Sequence, residues 1–91
     1  MTIQVGAGSL LLSGELTIMN YVERLEEAKA ALEQGHLTID FANVQDIDSS
    51  AIAFMLQCVR ISGGKVKFQS LPNTLNGLMS LYGVSDLLKT N

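Results

Sequence analysis

The sequence predicts an α/β fold: a mixed, mostly parallel β-sheet with an N-terminal β-hairpin and helices packed on it, in the order ββαβαβα. Three observations carry this. Two short apolar runs flank a glycine-rich turn near the start; beyond residue 20 the apolar period switches between about two and about 3.6 residues; and glycine or proline marks the switches. Strands that alternate with helices call for parallel pairing, because a parallel connection needs a crossover and a helix supplies it.

Residues 3–5 and 10–12 flank Gly6-Ala7-Gly8, whose glycines supply the positive φ of a tight hairpin turn. From Tyr21 the period changes: Tyr21, Leu25, Ala28 and Leu32 share one helical stripe, with Glu23, Arg24, Glu26, Glu27, Lys29 and Glu33 on the other side. This predicts an amphipathic helix with a solvated charged face, capped by Asn20, with Glu23 reaching back as in a capping box and Gly35 ending it. Residues 36–41 place Leu37, Ile39 and Phe41 on one side and predict a strand, with His36 as its solvent-facing start. A second helix follows over residues 49–62, then Gly63-Gly64 as a break, then a strand over 65–69 in which Val66 and Phe68 alternate. Pro72 opens a third helix, its missing N–H harmless in the first turn; Leu75, Leu78, Met79 and Tyr82 share a face and Gly83 follows. Ser85-Asp86-Leu87-Leu88 predicts one last short turn. Residues 1–91 read as one domain, without repeat, linker or low-complexity tract.

Composition narrows the function classes. Hydrophobic residues make up 47% of the chain, which excludes intrinsic disorder. The longest unbroken apolar run, residues 51–56, is far shorter than the roughly 20 residues of a membrane span. No basic segment followed by an apolar stretch opens the sequence, so the expected compartment is the cytoplasm. Net charge is −3, and Arg24, Lys29, Arg60, Lys65, Lys67 and Lys89 are scattered, which makes nucleic acid and anionic membrane poor partners. Cys58 stands alone among apolar neighbours at helical spacing and reads as a buried small hydrophobe.

The catalytic inventory is thin. His36 is the single histidine, no Gly-x-Ser-x-Gly elbow occurs, and Cys58 lies mid-helix, so no catalytic residue is assigned. One His, one Cys and scattered carboxylates give no metal-ligand pair at a recognised spacing. Gly6-Ala7-Gly8 is followed by an apolar strand where a phosphate loop demands a helix, and no Gly-Lys-Ser/Thr occurs. No metal or cofactor is expected.

What remains is Asp46-Ile47-Asp48-Ser49-Ser50-Ala51, a polar loop running into the most apolar helix. Asp48 or Ser49 is suited to be the N-cap, and a hydroxyl there lies at the positive end of the helix dipole. Apolar residues, among them Ile52, Phe54, Met55, Leu56, Cys58, Val59 and Ile61, cover roughly 220° of this helix, where a helix lying on a sheet needs little more than about 100°. Either neighbouring helices cover the excess, or the Phe54 side, next to the serines, is exposed to receive another protein.

Leu12-Ser13-Gly14-Glu15-Leu16-Thr17, Thr38-Ile39-Asp40-Phe41-Ala42-Asn43-Val44, Asp46-Ile47-Asp48-Ser49-Ser50-Ala51-Ile52-Ala53 and Leu81-Tyr82-Gly83-Val84 resemble, in order, landmarks of STAS domains. That fold is shared by anti-sigma-factor antagonists and many regulatory subunits. The compact length and the ending Leu71-Pro72-Asn73-Thr74-Leu75 through Leu81-Tyr82-Gly83-Val84 resemble a branch of small cytoplasmic ABC-transporter subunits. Those transporters move phospholipid between the bacterial inner and outer membranes and maintain lipid asymmetry. The resemblance implies a STAS-like fold and a non-enzymatic regulator peripheral to the inner membrane through its partner. It implies that Asp48, Ser49, Ser50, Ile52 and Phe54 dock on the transporter's ATPase subunit. The alternative it implies is an anti-sigma-factor antagonist whose partner is a serine kinase. In those proteins the hydroxyl before a glycine is phosphorylated; Ser50 matches that position, but Ala51 stands in place of the glycine. In the transporter branch the important hydroxyl follows the aspartate directly, here Ser49. A phosphate at Ser49 or Ser50 would sit beside Asp46 and Asp48, so both serines are expected to be largely unmodified.

Overall fold

A computed structural model describes residues 3–6, 9–84 and 88. The elements are β1 (Ile3–Gly6), β2 (Ser9–Leu16), α1 (Tyr21–Glu33), β3 (Thr38–Ile47), α2 (Ser50–Ile61), β4 (Lys67–Gln69) and α3 (Asn73–Leu81). This is the order expected from the alternation of periods. The expected turn at Ala7-Gly8 and the expected short turn at 85–87 lie outside the described residues.

Sheet order is β1-β2-β3-β4, with β1 antiparallel to β2, and with β2, β3 and β4 parallel. Both crossovers, through α1 and through α2, advance the sheet in the same direction. Right-handed crossovers that advance one way place their helices on one face. Burial follows: Leu10, Leu12, Ile39, Phe41 and Phe68 are buried, whereas Ser9, Leu11, Thr38, Asp40 and Lys67, which alternate with them, are half-buried or exposed. This is why the parallel strands alternate instead of reading as the unbroken apolar runs of a sheet covered on both sides.

Phe41 lies at the centre of the core, edge to face with Phe54 of α2 and Phe68 of β4, at centroid separations of 6.4 and 6.1 Å. Cys58 is buried beside them on α2, and burial pushes its thiol up to about 12, as suits a small hydrophobe rather than a nucleophile.

Several local expectations change. Strands β2 and β3 run to Leu16 and Ile47, past the apolar runs at 10–12 and 36–41, because each satisfies the other's backbone along a ladder that continues to the pair Leu16↔Ile47. The ladder shifts register twice, and Gly14, at φ 86°, supplies the left-handed residue at the second shift. Asn20 makes no side-chain bond to α1, so the capping box does not form. Its amide is used within the preceding turn instead. Arg24, placed on the solvated face by its charge, is only 2% exposed; its guanidinium folds back to Glu23 (3.0 Å) and Glu27 (2.9 Å). Pro72 precedes α3 instead of opening it, and its carbonyl accepts the N–H groups of Leu75 and Asn76. Tyr82 ends that helix half-exposed, off the buried stripe of Leu75 and Met79.

Candidate functional site

The loops after β2 and after β3 emerge side by side, because those strands are parallel neighbours. Asp48 joins them. Its N–H donates to the Leu16 carbonyl (3.4 Å), its Oδ2 accepts the Ile18 N–H (3.0 Å), and its Oδ1 accepts the Ser50 N–H (2.8 Å). The bond from Ile18, only partly opposed by desolvation and aided by Ser50, holds the Asp48 carboxyl below its ordinary value, so it is ionised at neutral pH. The expected N-cap is thus divided. Ser49 occupies the N-cap position without a side-chain bond to the helix, and the Asp48 carboxylate does the accepting.

Residues 17–20 form a turn that consumes its own polar groups. Asn20 Oδ1 accepts the Thr17 N–H (2.8 Å), Asn20 Nδ2 donates to the Glu15 carbonyl (2.9 Å), and Thr17 Oγ1 accepts the Met19 N–H (3.3 Å). With the polar groups turned inward, the apolar side chains point out: Ile18 is 69% exposed, Met19 90%, and Val22, one turn into α1, 68%. Leu56 of α2 is at the edge of exposure.

The expected site residues divide between this surface and the core. Ser49 is exposed, and Asp48 and Ser50 are half-buried at the loop. Ile52 and Phe54 are buried, Phe54 completely, so the expected exposed flank around Phe54 is corrected. Phe54 packs against Phe41, and α2 lies between α1 and α3, whose flanks take up the excess apolar arc. Sequence reasoning missed Ile18, Met19 and Val22. The available signal was their position: Ile18 and Met19 follow a strand and precede a helix, and Val22 lies off the stripe set by Tyr21 and Leu25.

Chemically, the arrangement offers an apolar surface with few free hydrogen-bonding groups. The first α2 amides are already used, Ser50 N–H by the Asp48 carboxylate and Ala51 and Ile52 N–H by the carbonyls of Asp48 and Ser49, both at 3.0 Å. They leave little for an anion. Among the described residues no cluster of His, Cys, Asp and Glu could hold a metal ion, and no helix is long and apolar enough to cross a membrane.

Residues 2–89 match the family model described as Mlab, STAS domain. No curated protein matches the chain. Among solved structures, one from Thermotoga maritima assigned as an anti-sigma factor antagonist is 20% identical, with 98% of this chain and 83% of that one covered at a TM-score of 0.73. The anti-sigma factor antagonist SpoIIAA in its unphosphorylated form is 18% identical, with 99% and 86% covered at a TM-score of 0.68. Phosphorylated SpoIIAA from Bacillus, 18% identical, covers 99% and 89% at 0.62. At these identities the structural likeness establishes the fold.

Proposed function

Because this chain belongs to the STAS family of the MlaB type, we propose that it is a non-enzymatic subunit that docks on, and supports, the cytoplasmic ATPase of a phospholipid-transporting ABC system. The observation that carries the docking part is the exposed apolar group Ile18, Met19 and Val22, pinned by Asp48 beside the exposed Ser49. A small domain gains nothing for its own fold from three apolar side chains in water, whereas a partner that buries them gains about 1.5–3 kcal/mol for each one fully covered. Ser49 belongs to this surface because its hydroxyl is not used in capping. The MlaB-type family match supports the choice of a transporter ATPase as partner, and STAS domains act in general as regulatory protein-binding modules.

The test is co-purification with the host's transporter ATPase, using a Met19→Asp, Val22→Asp double variant. Both positions are exposed, so the variant should keep the wild-type melting curve, with each change within about 0.5 kcal/mol. It should lose the ATPase. Wild-type binding by that variant would place the docking surface elsewhere.

A second reading, an anti-sigma-factor antagonist switched by a serine kinase, draws support from Ser50, a half-buried hydroxyl in the matching loop position. Ala51, fully buried, replaces the glycine, and the Asp48 carboxylate already holds the Ser50 N–H, so a phosphate there meets a fixed negative charge. Intact-mass analysis of protein from its native host separates the readings. An abundant phosphorylated species would favour the kinase partner.

A further inference from the structure

Among the described residues, carboxylates gather where β2 and β3 end, and cations, together with Glu33 and Asp40, where β3 and β4 begin. Glu15 and Asp46 are register partners near the end of the β2–β3 ladder, so their exposed side chains emerge on one face of the sheet as directly opposed carboxylates. Like charges so placed destabilise the isolated fold. Glu23, in the first turn of α1, and Asp48 lie at the same end. Among the described residues the cation there is Arg24, which is buried and occupied by Glu23 and Glu27. Arg60 in the last turn of α2, Lys65 just after it, and Lys67, paired with Thr38 where β3 and β4 begin, lie at the opposite end.

The acidic end is the one that displays Ile18, Met19 and Val22. Taking as its premise that this end docks on a protein, we infer that the partner's face is an apolar pocket edged by lysine and arginine, which supply counter-charges to Glu15 and Asp46. Complementary charge steers encounter and fixes orientation, while the apolar tips give the contact its strength. The same carboxylates repel anionic lipid headgroups, so exposed Met19 meets a protein and not a bilayer.

The test is calorimetric titration of wild type, a Glu15→Gln, Asp46→Asn double variant and a Lys65→Gln, Lys67→Gln double variant into two purified host proteins, the transporter ATPase and the anti-sigma serine kinase. For whichever binds, wild-type affinity should fall about tenfold between roughly 50 and 300 mM salt. The acid-neutralised variant should bind about tenfold more weakly at low salt, with a flatter salt response, yet melt no lower than wild type. The lysine variant should bind as wild type does. Salt-independent binding, unchanged affinity of the acid-neutralised variant, or a larger loss in the lysine variant overturns the inference. So does self-association in sedimentation, or binding to phosphatidylglycerol vesicles, that Met19→Ser abolishes. If the kinase alone binds with this salt signature, the transporter reading falls and the basic pocket stands. If the ATPase binds without it, the reverse holds, and if neither protein binds wild type, both fall.

Discussion

The Asp48 carboxylate accepts the backbone N–H of Ile18 at 3.0 Å, across 30 residues of sequence. Through that bond and the one its Oδ1 accepts from the Ser50 N–H, one side chain holds both the turn that presents Ile18 and Met19 and the start of α2. The geometry of the proposed docking surface therefore depends on a residue that is itself only half-buried.

Asp48→Ala removes the acceptor for both Ile18 and Ser50, and should cost about 1–2 kcal/mol by the loss of a helix cap and a loop bond. The pH dependence has a definite sign. The folded-state pKa of Asp48 is depressed, so its contribution is fully present above the unfolded value, roughly 3.9, and is lost as pH falls through the folded value. Urea melts between pH 6 and pH 2.5 should show wild type losing more stability than Asp48→Asn over the acid part of that range. Parallel curves would mean that the carboxylate makes no net contribution.

Phe54→Ala should unfold much of the population. The ring is fully buried against Phe41, and truncation of a buried phenylalanine costs about 3–5 kcal/mol, a large share of the stability of so small a domain. A thermal melt decides it. A monomer that melts within a few degrees of wild type would contradict the packing of α2 described above.

Arg24 offers a test of what its ion pairs contribute. Its Nε is buried without a partner, while Glu23 and Glu27 reach water and can be resolvated if the guanidinium is removed. Arg24→Met keeps the aliphatic bulk and removes the buried charge, so stability by urea denaturation should be unchanged or higher by about 1 kcal/mol. Glu27→Gln, which leaves the cation less compensated, should be destabilising. A loss above about 2 kcal/mol in Arg24→Met would show the ion pairs to be net stabilising.

Element order and the mixed sheet could be read from the sequence because they rest on local pattern: the period of apolar residues, Gly and Pro at the switches, and the rule that parallel neighbours need a crossover. The family resemblance could be read in the same way, since its landmarks are short and lie in order. Asp48, Ser49 and Ser50 stand out in the sequence as candidates because a polar loop before an apolar helix is a local signal. The fate of Phe54 was not local. An apolar arc wider than a sheet requires has two explanations, and only the placement of α1 and α3 on either side of α2 decides for burial. Arg24 was misplaced for the same reason: charge indicates solvent, but an intrahelical carboxylate on each side lets a guanidinium be buried. The anchoring of Ile18 by Asp48, and the opposition of Glu15 to Asp46, exist only once β2 and β3 are paired in register. They bring together residues about thirty apart, a separation that no periodicity in the chain encodes.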